Sequence, residues 1–168
     1  MLALLALNAG VYLDSGTLNE GIDSIAWLTL LALFQLESGF GRVLHALSVI
    51  AAVHGIRFAA LAAVAAAAAG FVYNNDWLDA ANSMLWIAVV VLLELEIRRP
   101  ATVAVHRARF TAAAATLYSG LGALVLVWLW RGEWFDAYDA TLWLVAFATI
   151  ELKVLEAARR TGVEADPG

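Results

Sequence analysis

The sequence has no cysteine, which excludes disulfides, thiolate metal sites and a cysteine nucleophile. It has little charge. Asp, Glu, Lys and Arg make up 15% of 168 residues, and the net charge of −5 comes without a basic stripe, so no nucleic-acid partner is expected. There is no Walker loop, HExxH pair, serine nucleophile elbow or glycine-rich dinucleotide loop, and an enzyme is not expected. The long alternation of polar and apolar residues that marks a transmembrane β-barrel is also lacking.

What remains is strongly apolar. With 63% hydrophobic residues and a mean hydropathy of +0.80, the chain is too apolar for a soluble domain of its length, and the lipid bilayer is its first expected partner. A bilayer core of roughly 30 Å takes about 20 residues of helix. The Ala, Leu and Val runs fit helices of that kind.

One motif recurs. Residues 82–99 read NSMLWIAVVVLLELEIRR, 23–37 read DSIAWLTLLALFQLE, and 139–153 read DATLWLVAFATIELK. Aligned on Trp27, Trp86 and Trp143, spaced 59 and 57 apart, each copy has Asp23, Asn82 or Asp139 four residues before the Trp. Each also has Gln35, Glu94 or Glu151 eight after it, and Glu37, Glu96 or Lys153 ten after it. Such self-similarity sets the fold reading: an all-α membrane protein of six transmembrane helices, arranged as three two-helix hairpins about a pseudo-threefold axis. The hairpins cover residues 1–40, 57–99 and 103–159 of one domain (1–160), followed by a polar tail, 161–168.

In chain order, the apolar runs predict spans over 1–13, 24–38, 58–73, 82–99, 103–130 and a last one ending near 159. Residues 39–57, which carry Arg42, His45, His54 and Arg57 among apolar neighbours, predict a short amphipathic helix in the interface plane. On this map every Lys and Arg except Arg131 falls on one side. By the positive-inside rule that side is the cytoplasm of an inner-membrane protein, with both termini inside. Small residues four apart, Ala6 and Gly10, Ala66 and Gly70, Thr116 and Gly120, predict close packing of the first, third and fifth spans.

Carboxylates in apolar helices are costly and often mark ion paths. At 100° per residue, the eighth and tenth positions after the Trp lie about 160° apart, so Glu94 and Glu96 cannot face one pore. The tenth position does share a face with the residue four before the Trp, with Leu30, Val89 and Ala146 between them. A column from Asp23 and Asp139 to Glu37 and Glu96 would suit a cation or proton. A plainer reading competes: Glu94 stands four residues before Arg98 and Glu96 three before Arg99, spacings of intrahelical ion pairs.

The seven tryptophans cluster near one level and are expected to anchor the chain at the membrane interface, with a ligand shelf as the lesser alternative. His54 and His106 occupy equivalent places beside arginines, which suits contact with anionic headgroups better than haem or metal. No cofactor or metal is expected. The leading functional expectation is a small oligomeric channel or transporter for a cation or proton, with Glu37, Glu96, Asp23, Asp139, Glu94 and Glu151 as pathway residues. Its rival is a non-catalytic accessory or scaffold subunit working with other membrane subunits.

Overall fold

A computed structural model describes the backbone of residues 2–40 and 47–164, and the side chains of 2–36, 51–96, 98–99 and 101–149. The described chain is all-helical: α1 (Leu2–Ser15), α2 (Leu18–Phe40), α3 (Leu47–Asn74), α4 (Trp77–Arg98), α5 (Pro100–Val105), α6 (Arg107–Arg131) and α7 (Trp134–Glu164). Three stretches are long and apolar enough to cross a membrane, Ala51–Asn74, Trp77–Glu96 and Arg107–Arg131. Most of their surface faces outward, and large apolar side chains such as Leu7, Phe58 and Leu126 stand exposed around the bundle. Both features are compatible with a membrane protein.

The turns explain where the helices stop. Thr17 caps α2 in a reciprocal box: its N–H donates to Glu20 Oε2, and the Glu20 N–H donates to Thr17 Oγ1 at 3.3 Å. The α3–α4 and α6–α7 corners share a second device. Asn75 (φ 63) and Gly132 (φ 80) take the left-handed conformation. Crossed bonds then satisfy the last carbonyls: Asn75 N–H to Val72 O (3.2 Å) and Asp76 N–H to Phe71 O (2.9 Å), Gly132 N–H to Leu129 O (3.2 Å) and Glu133 N–H to Trp128 O (2.9 Å). Pro100 starts α5, where a missing N–H costs nothing. His106 then separates α5 from α6.

The long helices form a closed ring. Each packs on the next in the order α1, α2, α3, α4, α6, α7, and α7 returns to α1, while α5 bridges α4 and α6. The main core cluster, which includes Trp27, Val64, Trp86, Val89, Leu121 and Phe147, draws on five of those six helices and so fills the ring's interior.

Several expectations change. Residues 47–57 are the first turns of α3, so this part of the anticipated interface helix is continuous with the next span; Arg42 and His45 lie outside the described residues. Ala supplies the reason, since the Ala-rich run after Phe58 is the best helix former available and extends the helix in both directions. The helix expected over 103–130 is broken at His106. The odd-numbered seam is absent among the described residues, because α1, α3 and α6 do not pack on one another. A Cβ on Gly70 would meet Asn19 of α2 at 2.6 Å, and one on Gly120 would meet Leu85 of α4 at 3.3 Å, so these small residues serve ring neighbours. Helices α2, α4 and α7 begin at Leu18, Trp77 and Trp134, a turn or more earlier than polarity suggested. Their first turns hold acidic residues, which the partial positive charge of a helix N-terminus favours.

Candidate functional site

That earlier start decides where the repeated polar residues go. Asp23, Asn82 and Asp139 sit in the second turns of α2, α4 and α7 and line one cavity of about 40 Å³ at the acidic end of the ring. A volume of this size holds a few waters or a bare ion with a water or two. Tyr12, Glu20, Ser24, Asp79 and Ser83 complete its polar wall, and Phe71 adds an apolar patch.

Glu20 and Asp79 were not anticipated. They stand seven residues before Trp27 and Trp86, and Asp136 stands seven before Trp143. Each copy of the motif therefore carries a second acidic position one turn above the first, a signal already present in the spacing.

Two hydrogen bonds join the first and last helices at this level. Asn8 Nδ2 donates to Asp139 Oδ1 at 2.8 Å, and the Tyr12 hydroxyl donates to Asp136 Oδ1 at 2.9 Å. The Tyr12 ring meets Phe135 edge-on at 5.1 Å. Asn8 is buried. It is the lone polar side chain within an otherwise apolar stretch of α1, the one mark by which it stood out.

On the α2–α4 side several buried polar atoms lack partners. Asp23 Oδ1, Asn82 Oδ1 and Ser83 Oγ are buried without a hydrogen bond, although Ser83 lies beside the Asp23 carboxylate. The Trp27 indole, one turn on from Asp23, also approaches that carboxylate, and Trp143 approaches Asp139 in the same way. Aspartate and tryptophan four apart on a helix share a face, and that geometry is what the repeated spacing encodes.

Below the cavity the ring is closed by aromatic rings. Trp27 and Trp143 meet edge-on at 6.4 Å, Trp86 lies 4.6 Å from Phe147, and Phe147 lies 6.3 Å from Trp143. Trp27 and Trp86 are only 7% and 4% exposed. The expectation that all three repeated tryptophans anchor the interface is thus corrected. Among the described residues α2, α4 and α7 do not touch backbone to backbone, so large side chains must span the interior between them. Trp77 and Trp134, at 62% and 69% exposure, do face outward as interface residues would. Of the intervening residues, Val89 and Ala146 are buried, and Leu30 packs on the cluster that holds Val89.

Glu94 and Glu96, toward the basic end of α4, do not line this cavity. Glu94 pairs with Arg98 on the exposed face of α4. Glu96 is half-buried. The side chains of Glu37 and Glu151 lie outside the described residues. His54 and His106 are exposed. Among the described residues no three His, Cys, Asp or Glu side chains are grouped so as to hold a metal ion.

Comparison of the chain with protein-family models, with curated proteins and with solved structures gives no match in any of the three.

Proposed function

We propose that the protein is a small inner-membrane transporter for a cation or proton, loading its cargo in the acidic cavity between α2, α4 and α7. The observation that carries this reading is the meeting of Asp23, Asn82 and Asp139, one from each copy of the motif, around a single small cavity. Among the described residues no basic side chain lines that space, so its carboxylates attract a cation rather than neutralise a resident one. In this reading six helices cross the bilayer as three hairpins around a pseudo-threefold axis. The basic ends and both termini face the cytoplasm, and the cavity faces outward. The apolar layer of Trp27, Trp86 and Phe147 beneath the cavity favours a transporter over an open channel, because a hydrophobic constriction bars a hydrated ion until it moves. Glu37, Glu96 and Glu151 serve the inner mouth. Glu94, held by Arg98, stays outside the path.

A second reading has its own support. α1 has 14 residues, about 21 Å of helix against a core of roughly 30 Å. Its Ala6 and Gly10 face outward, with nothing within 4 Å of a Cβ built on Gly10. A helix of a second copy or of another subunit would fit there, as in an oligomer or a scaffold within a larger assembly.

Reconstitution separates the two. Purified protein in liposomes should carry a cation or proton current that Asp23→Asn and Asp139→Asn reduce at least tenfold. Flux equal to that of empty liposomes, together with stable co-purification of other membrane chains, would favour the scaffold.

A further inference from the structure

We infer that Asp23 Oδ1, Asn82 Oδ1 and Ser83 Oγ form a binding site for a small monovalent cation of the sodium class, a conclusion that rests on the cation reading above. These are a carboxylate, an amide and a hydroxyl oxygen, all bordering the same cavity, all buried and none with a hydrogen bond. Ser83 is the sharpest case, at 1% exposure with its hydroxyl unpartnered. An unsatisfied buried polar group costs about 1–3 kcal/mol, and three on one wall call for a shared partner. With Asp23 ionised, the Ser83 hydroxyl has one hydrogen to give, to Asp23 or to Asn82, so one of those two oxygens stays without a donor. A single hard cation satisfies all three, because each presents a lone pair and oxygen is its preferred ligand.

Charge and crowding choose the valence. Only Asp23 among the three carries a formal charge, which balances one positive charge. Hard divalent ions take six to eight oxygens with several carboxylates or demand near-octahedral geometry, and the described residues hold no such acidic cluster. Asp139 is already engaged by Asn8 across the cavity at 2.8 Å. Glu20 is engaged by the Thr17 N–H in the α2 cap. Asp79 also borders the cavity, but Asp23 is the carboxylate that lies beside Ser83 and has a buried oxygen without a hydrogen bond. The position equivalent to Asn82 is aspartate in the other two copies of the motif, so this one amide lowers the site's charge from divalent toward monovalent.

The test is thermal unfolding of the full chain in detergent at fixed pH and ionic strength, with sodium chloride replaced stepwise by potassium or choline chloride. Sodium should raise the midpoint saturably, and potassium should need about tenfold more for the same rise. Ser83→Ala should raise the half-saturating sodium concentration at least fivefold, the equivalent of about 1 kcal/mol. Asn82→Asp, which copies the other repeats, should make calcium stabilising where it was inert. Equal effects of sodium, potassium and choline, or a Ser83→Ala protein with unchanged sodium response, would overturn the site. If Ser83→Ala does not fold, an unchanged calcium response in Asn82→Asp overturns it instead. Failure of the two readings differs in outcome: proton flux without sodium stabilisation ends the sodium site alone, whereas saturable sodium stabilisation without flux ends the transport reading alone.

Discussion

Asn8 donates to Asp139 across 131 positions of sequence, at 2.8 Å, and with that bond the first helix of the ring is fastened to the last. α1 and α7 share the least extensive of the ring's six interfaces. Polar side chains there add to a small apolar cluster that includes Leu5 and Ala146. A hydrogen bond to a charged group contributes about 1.5–3 kcal/mol, and a stranded buried carboxylate costs at least as much again. Asn8→Leu should lower the unfolding midpoint clearly. Asp139→Asn, which keeps an acceptor oxygen, should lower it less. Denaturation of both variants in the same detergent checks the order, and equal losses would contradict it.

The two classes of tryptophan should separate in the same assay. Trp86 is 4% exposed and stacked near Phe147, whereas Trp77, nine residues earlier on α4, is 62% exposed. Replacing a buried Trp with Ala costs about 3–5 kcal/mol through lost burial and the cavity left behind. Trp86→Ala should approach that range, and Trp77→Ala should stay within about 1 kcal/mol, because lipid or detergent replaces its contacts. If both lose alike, the closed aromatic layer is wrong.

The two left-handed corners make opposite demands. Gly132, at φ 80, has nothing within 4 Å of an added Cβ, so Gly132→Ala meets backbone strain alone. About 1–2 kcal/mol of destabilisation is expected. Asn75 holds φ 63 with a side chain attached, and Asn75→Gly should be neutral or stabilising by up to about 1 kcal/mol. Opposite signs in chemical unfolding support the shared corner geometry.

Much of this was legible beforehand, in uneven measure. Helical class, three long apolar stretches and the Asp-to-Trp spacing follow from period and composition, and the spacing led to Asp23 and Asp139 in the cavity wall. The helix starts did not follow, because Glu20, Asp79 and Asp136 read as turn residues until a helix N-terminus gives them a favourable place. The depth of Trp27, Trp86 and Trp143 was hidden for another reason. A tryptophan one turn inside a polar ring suits a membrane interface or a bundle interior equally, and only the gaps between α2, α4 and α7 decide it. Ser83 carried no signal at all, since serine is common at such positions and its isolation is a property of the packing.

The absence of cysteine gives a clean background for testing the crossings one at a time. Ser15, Asn74 and Arg131 end the helices that lead into the three acidic corners and are exposed, while Arg99 and Arg107 flank the short α5 at the basic end. In the six-crossing arrangement, single cysteines at the first three positions should react with a membrane-impermeant maleimide added outside intact cells. Arg99→Cys and Arg107→Cys should react only after the membrane is opened. Because α1 is only about 21 Å long, Ser15→Cys is the demanding member of the set. If it stays protected while Asn74→Cys and Arg131→Cys react, α1 does not carry the chain across, and the first hairpin must be redrawn as one lying partly in the membrane. Labelling of Asn74→Cys and Arg131→Cys on opposite sides would break the alternation of α3, α4, α6 and α7, and with it the meeting of the three repeated polar residues at one end.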